Sequence, residues 1–436
     1  VVDRRLTVLF LPESAYGPTN NCVGIGAELL ARGHRVVFAA ESSWRGKLEP
    51  LGFVEDLVDL APPAEDAGGS GGAEQDAGQF WKDFIRDTAP EFRKPTIAQL
   101  ETFMVPTWQA LVDGAVYCEQ QLRAIVGRNR PDVVIEDNVV AFPALVTAGV
   151  PWVRIVSCNP LEVNGPDVPP AYSGLPSGDR SEWDAFRREY DRTHRPVWQA
   201  FDAWVREQGA PPLGELEFVH SSPYANLYVY PREADYTALR PLDGTWHRLD
   251  SCVRTTDPPF DLPPELLDRG GGSALVYLSM GSLGAADVEL MRRLVDVLST
   301  TPHRYVVSKG PQHAEYELAD NMWGAEFLPQ TSVIPLVDAV VTHGGNNTTT
   351  EALHFGKPMV VLPLFWDQYD NAQRVDELGF GVRIGAYTAG RDLVDAVHRV
   401  SGDERLRRRM SDLGAAIRAR NGRLRAADVI ERAARG

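Results

Sequence analysis

Two stretches of the chain repeat one pattern. "LTVLFL" (6–11), "GIGAELLARG" (24–33) and "HRVVFAA" (34–40) read as strand, helix and strand. "SALVYLSMGS" (273–282), "AADVELMRRLVDVLST" (285–300) and "HRYVVSKG" (303–310) read the same way. Short, continuous apolar runs rich in β-branched residues are strands buried on both faces, and such strands belong to parallel sheets covered by helices. Between the two units lies "DPPFDLPPELLDRGGG" (257–272), a Pro-rich run followed by a Gly run, the strongest linker candidate. A chain of 436 residues has room for two such domains. The spacing predicts a doubly wound α/β domain over 1–250, a linker over 251–272 and a second such domain over 273–415. A terminal helix over 416–436 is expected to pack back towards the first domain. Ligands of open parallel sheets bind at the carboxyl ends of the strands, so two facing domains make a cleft.

The charge balance narrows the partners. A net charge of -16 argues against nucleic acid or an anionic membrane as the main partner. Cys22, Cys118, Cys158 and Cys252 stand far apart, and isolated buried thiols are expected rather than a zinc site or a disulfide frame. The opening apolar run is too short for a signal peptide or a membrane span, so a cytoplasmic protein is expected. Residues 61–79, "APPAEDAGGSGGAEQDAGQ", hold almost no apolar bulk and read as a surface loop. From 160 to 265, proline, glycine and aromatics interrupt any regular pattern.

The chemistry concentrates between 326 and 385. "AVVTHGGNNTTTEALHFG" (339–356) reads as strand, small-residue turn and helix. Gly344 and Gly345 let the backbone approach a ligand. Asn346, Asn347 and the threonines are candidate caps, and the first helical N–H groups make an anion site to which His343 can donate. Glu351, a little over two turns on, suits a sugar hydroxyl donor. "WDQYDN" (366–371) adds Asp367, Gln368 and Asn371, side chains of the kind that bind carbohydrate hydroxyls. "SMGS" (279–282) offers Ser282 and nearby amides at another strand end. Any one of these is compatible with an ordinary turn. Together, in order, they describe a site for a phosphate-bearing ligand that carries a sugar.

The segment 277–385 resembles the donor-binding signature of family 1 glycosyltransferases of the GT-B fold, the group of plant and microbial natural-product glycosyltransferases. The resemblance extends more weakly to the first βαβ unit. It implies two Rossmann-like domains facing across a cleft, and a nucleotide sugar as co-substrate with no cofactor and no metal. It implies that Phe327 stacks on the nucleobase beside Gln330, and that His343, Gly345, Asn347, Thr348 and Ser282 surround the diphosphate. Glu351 would accept from ribose hydroxyls, and Asp367 and Gln368 would hold the sugar. Inverting transfer is implied, and UDP-glucose is the favoured donor over a dTDP-sugar, because Glu351 can satisfy both ribose hydroxyls and Asp367–Gln368 suits free sugar hydroxyls.

One departure stands out. Relatives usually carry a Gly-His pair in the first loop, and the histidine is the general base. Counting back from "ARGH" places Gly17 and Pro18 there, and proline takes no proton. Asp137, ending "PDVVIED", or Glu13 in the first loop can serve instead, because a carboxylate in an apolar cleft is pushed towards neutrality. Alternatively the acceptor needs little help, or the chain only binds its nucleotide sugar. Phe84, Trp108 and Phe142, with Phe80, Trp81 and Phe103, are candidates for an aromatic acceptor pocket suited to a polyketide or other small aromatic natural product. An aryl C-glycosyltransferase using a dTDP-deoxysugar is the nearest enzyme alternative, and a nucleotide-sugar 2-epimerase a more distant one. A monomer or a homodimer fits equally.

Overall fold

The computed structural model describes residues 4–62, 88–267 and 272–435. Two separate parallel sheets form, one from each half of the chain. The first holds β1 (Thr7–Pro12), β2 (Arg35–Phe38), β3 (Val54–Glu55), β4 (Val133–Asp137), β5 (Trp152–Val156), β6 (Ala225–Tyr228) and β7 (Trp246–Arg248), in the order 3-2-1-4-5-6-7. The second holds β8 (Leu275–Ser279), β9 (Arg304–Ser308), β10 (Met322–Ala325), β11 (Ala339–Thr342), β12 (Met359–Val361) and β13 (Gly381–Arg383), in the order 10-9-8-11-12-13. In each sheet the winding reverses between the first strand and its neighbour, at β1/β4 and at β8/β11. Loops leaving those strands diverge to opposite faces and open a crevice. Glu13 and Asp137 flank the first crevice, and Gly281, Ser282 and His343 flank the second.

The helices that matter here are α1 (Tyr16–Ala31), α2 (Val105–Asn129), α3 (Trp183–Glu207), α4 (Val288–Ser299), α5 (Asn346–His354), α6 (Gln368–Glu377), α7 (Arg391–Gly402), α8 (Glu404–Arg420) and α9 (Gly422–Arg435). Helix α9 packs on α1, β5 and β6. Its Ala426, Ala427, Val429 and Ile430 sit in one hydrophobic cluster with Val8, Phe10, Ile25 and Leu29 of the first domain. The chain therefore crosses between the domains twice, once through the joining segment and once into α9. No helix among the described residues is long and apolar enough to cross a membrane.

Several expectations need correction. Helix α1 begins at Tyr16, so most of the expected first loop is helix. Pro18 is its third residue, where an N–H has no helical acceptor and proline costs nothing. The irregular region 160–265 contains α3, 25 residues long, with Pro196 inside it, as well as β6 and β7. The N-cap of α5 is Gly345, and no side chain caps that helix. Cys22, Cys118 and Cys252 are buried, Cys158 is half-buried, and all four are free thiols. The surface loop expected at 61–79 lies, from residue 63 on, outside the described residues.

Candidate functional site

A cavity of about 560 Å³ separates the two crevices. From the first domain Glu13, Tyr16, Gly17, Pro18, Trp44, Asp137 and Ser157 line it. From the second come Ser282, Phe327, Gln330, His343, Gly345, Asn347, Thr348, Asp367 and Gln368. The sequence-derived donor residues and both candidate bases thus reach one space. Glu351 is the exception: it is buried beneath that wall, 1% exposed.

The second-domain wall of the cavity is built on small residues. Gly281 has φ +70, and a Cβ there would lie 2.6 Å from Cε1 of His343. A Cβ on Gly345 would lie 2.5 Å from Nε2 of the same ring. The imidazole is therefore slotted between two glycines at the start of α5. Burial pushes its pKa down to about 4, against a contact with the Ser279 backbone that acts the other way. At neutral pH the ring is uncharged and carries a single N–H, for which the Ser279 carbonyl and a ligand compete. Among the described residues that line the cavity, Arg254 is the only Lys or Arg. Negative charge on a ligand would thus be met by backbone N–H groups at the N-terminus of α5 and by neutral donors. Phe327 is half exposed at the mouth, its ring centroid 6.1 Å from that of Tyr16 across the cleft.

Three side chains hold Glu351. Oε1 accepts from Arg254 at 2.9 Å and from Asn347 at 3.1 Å, and Oε2 accepts from Gln330 at 2.6 Å. Arg254 also makes a two-pronged pair with Asp257, at 2.7 and 2.8 Å. Burial raises the Glu351 pKa, and the guanidinium opposes the rise.

The sugar-binding candidates are also engaged. Asp367 Oδ2 accepts from the backbone N–H of Asn159 in the first domain at 2.8 Å. Three residues on, Asp370 accepts from the N–H groups of Tyr172 at 2.6 Å and Gly174 at 2.8 Å. Gln368 Oε1 accepts from the amides of Leu364 at 3.0 Å and Phe365 at 3.3 Å. Its amide nitrogen is left for a ligand. Asp367 and Gln368 thus each commit one side-chain oxygen to the protein while lining the cavity.

On the opposite wall, Asp137 Oδ2 accepts from Ser157 Oγ at 2.7 Å and from Cys22 Sγ at 3.4 Å. Asn21 Nδ2 donates to Ser157 Oγ at 3.0 Å, which orients the hydroxyl towards the carboxylate. Burial is the largest influence on Asp137 and lifts its pKa to about 7, with the charges of Glu162 and Glu13 adding to it. Glu13 is raised by burial as well. Its two oxygens are taken by Ser14 Oγ at 3.0 Å and the Ala15 N–H at 3.1 Å. Of the two candidates, Asp137 keeps one carboxylate oxygen outside these bonds, whereas both oxygens of Glu13 are engaged.

The aromatic candidates divide. Phe103 lines the cavity, with Leu111, Val139, Phe365 and Trp366. Trp108 does not. It is buried, stacked on Phe218 with centroids 4.2 Å apart, and touches the cavity only through Trp366 at 5.1 Å. Phe142 is likewise a core residue. Both belong to the hydrophobic core rather than to the cavity wall. Phe80, Trp81 and Phe84 lie outside the described residues. Ser157, Asn159 and Arg254 carry the site and were not expected. Ser157 ends the run "WVRIVS" and could have been suspected as a strand-end residue, whereas nothing local marks Arg254.

Residues 292–424 match the family model for the C-terminal domain of erythromycin biosynthesis protein CIII-like proteins. The chain is 25% identical over 427 residues to an oleandomycin glycosyltransferase of Streptomyces antibioticus, covering 96% of this chain and 88% of the relative. A demethyllactenocin mycarosyltransferase of Streptomyces fradiae is 27% identical over 447 residues, covering 98% and 86%. The chain spans only 29% of the length of a sterol 3-beta-glucosyltransferase of Yarrowia lipolytica, to which it is 24% identical over 98% of its own length. The crystal structure of the glycosyltransferase of kitacinnamycin superposes with a TM-score of 0.69, at 25% identity and 99% coverage of both chains.

Proposed function

We propose, since this chain is a family 1 natural-product glycosyltransferase of the GT-B fold, that it moves a hexosyl group from a nucleoside diphosphate onto a small polyketide or aromatic acceptor, with inversion and without a metal. One observation carries the reading. A carboxyl raised into the neutral range, Asp137, faces across a single cavity the glycine-slotted His343 and the N-terminus of α5. An acceptor hydroxyl beside Asp137 gives its proton to the carboxylate as its oxygen attacks the anomeric carbon. The bond from that carbon to the diphosphate oxygen breaks on the opposite side. The helix N–H groups, Ser282 and the His343 N–H take up the charge on the departing diphosphate. The apolar wall of Phe103, Leu111, Val139, Phe365 and Trp366 suits a polyketide-like acceptor.

UDP-glucose is the donor that the residue types favour, with Glu351 on the ribose and Gln368 on the sugar. A second reading, a dTDP-linked deoxysugar, is favoured by the occupied oxygens of Glu351, Asp367 and Gln368, which leave few acceptors for hydroxyls. Calorimetric titration with UDP-glucose and dTDP-glucose tests the site. Heat with either supports it, and the tighter ligand names the nucleotide. Heat with neither overturns the assignment of His343, Gln330 and the α5 N-terminus to a donor.

A further inference from the structure

We propose that Arg254, on the segment joining the two domains, is a specificity-determining residue: it withdraws one oxygen of Glu351 from the nucleotide, so that the donor site accepts a 2′-deoxyribose as readily as a ribose. The proposal rests on the donor site described above, with Glu351 beneath the ribose.

The argument is a count of lone pairs. A carboxylate offers about four acceptor positions, two on each oxygen. Oε1 of Glu351 is filled by Arg254 and Asn347, and Oε2 has one position left beside Gln330. At most one ribose hydroxyl can therefore be accepted, and a pair cannot. In this proposal that position goes to the 3′-hydroxyl, which both nucleotides carry, so that the 2′-hydroxyl goes unread. Arg254 is well held in this role. Its side chain is 10% exposed, and Asp257 clamps its other edge in a planar two-pronged pair. Asp257 is fixed in turn by the backbone N–H of Thr331 at 3.1 Å and its hydroxyl at 2.9 Å, on the turn that carries Gln330. Both Arg254 and Asp257 face the cavity. The selectivity element thus comes from outside the second sheet, on the chain segment that crosses between the domains.

Calorimetry with UDP, dUDP and dTDP tests the idea on the intact chain. UDP and dUDP differ only in the 2′-hydroxyl, and dUDP and dTDP only in the ring methyl. In the wild-type protein UDP and dUDP should bind within about threefold of each other. Arg254→Met keeps the length of the side chain and frees a position on Oε1. It should bind UDP about tenfold or more tighter than dUDP, the worth of one hydrogen bond to a charged acceptor. The wild-type ratio needs no variant to fold, and thermal melting of Arg254→Met accompanies its titration. A strong wild-type preference for UDP over dUDP overturns the proposal. So does an equal loss of both affinities in Arg254→Met, which would make Arg254 a direct ligand of the diphosphate or base. Failure of all three nucleotides to bind the wild type overturns the donor site itself.

Discussion

Gly281 and His343 share one space: a side chain of even one carbon on Gly281 would stand 2.6 Å from Cε1 of the imidazole. Gly281 also has φ +70, which a larger residue adopts at a cost. The strand-end histidine is therefore aimed by the absence of a side chain as much as by any bond. Gly281→Ala should displace the ring and weaken nucleotide-sugar binding about tenfold or more. The fold should lose only ~1–3 kcal/mol, as for other overpacked positions. Calorimetry and thermal melting on the same sample separate the two effects. Wild-type affinity in Gly281→Ala would mean that the ring position is irrelevant to the donor.

Asp137→Asn should lower turnover about a hundredfold or more while leaving nucleotide affinity unchanged, since the residue stands on the acceptor wall. The carboxylate must be ionised to accept a proton, and its pKa is raised to about 7. In the wild type kcat/KM should therefore climb with pH through a midpoint near 7. The climb should vanish in Asp137→Asn. Ser157→Ala, which removes the hydroxyl bonded to Asp137 Oδ2, should shift the midpoint upward, because that bond favours the charged form. Near-wild-type turnover in Asp137→Asn would return the role to Glu13 or to an acceptor that needs no base.

Phe327→Ala should reduce nucleotide affinity by about one stacking contact, ~1–3 kcal/mol or roughly five- to a hundredfold. The ring is half exposed, so the melting temperature should hardly move. An unchanged affinity would place the base elsewhere on the wall.

Glu136→Gln should stabilise the protein increasingly as pH rises. Glu136 is fully buried, and burial raises its pKa to about 8 against the opposing Arg154 charge and the Phe142 backbone N–H. A carboxyl whose folded-state pKa lies above its unfolded value favours folding most below the unfolded value. That contribution is lost as pH rises from about 4.5 to about 8. The neutral amide has no such loss. The difference in stability between Glu136→Gln and wild type should therefore grow by about 1.4 kcal/mol per pH unit across that window and level off above it. A difference independent of pH would show that Glu136 does not titrate there.

Most of the second-domain wall of the cavity was legible because it is local. An apolar run, a pair of small residues and a helix start lie within a few positions at 279–282 and at 339–347, and the β/α geometry turns them towards one face. What was not legible is long-range. Ser157 and Asn159 acquire their roles from partners 20 and 208 positions away in sequence. Arg254 sits next to a Pro-rich stretch with no period to read. Trp108 and Phe142 misled because a buried aromatic residue has the same local signature whether it meets a ligand or the core. Helix α3 was hidden by Pro196 inside it, although its buried Trp183, Phe186, His194, Phe201 and Val205 keep helical spacing. The fit of Pro18 at the first turn of α1 depends on where that helix begins, which no local signal marks.

The seam between Asp367 and Asp370 on one side and Asn159, Tyr172 and Gly174 on the other joins carboxylates to backbone amides. Only one partner in each bond is specified by a side chain. A first domain from a distant relative would present the same amides whatever residues it carried there, provided its loops follow the same path. These three bonds therefore tolerate sequence change in the first domain, whereas side-chain pairs across the same boundary, Asn159 with Asn371 and Arg420 with Glu233, must change together.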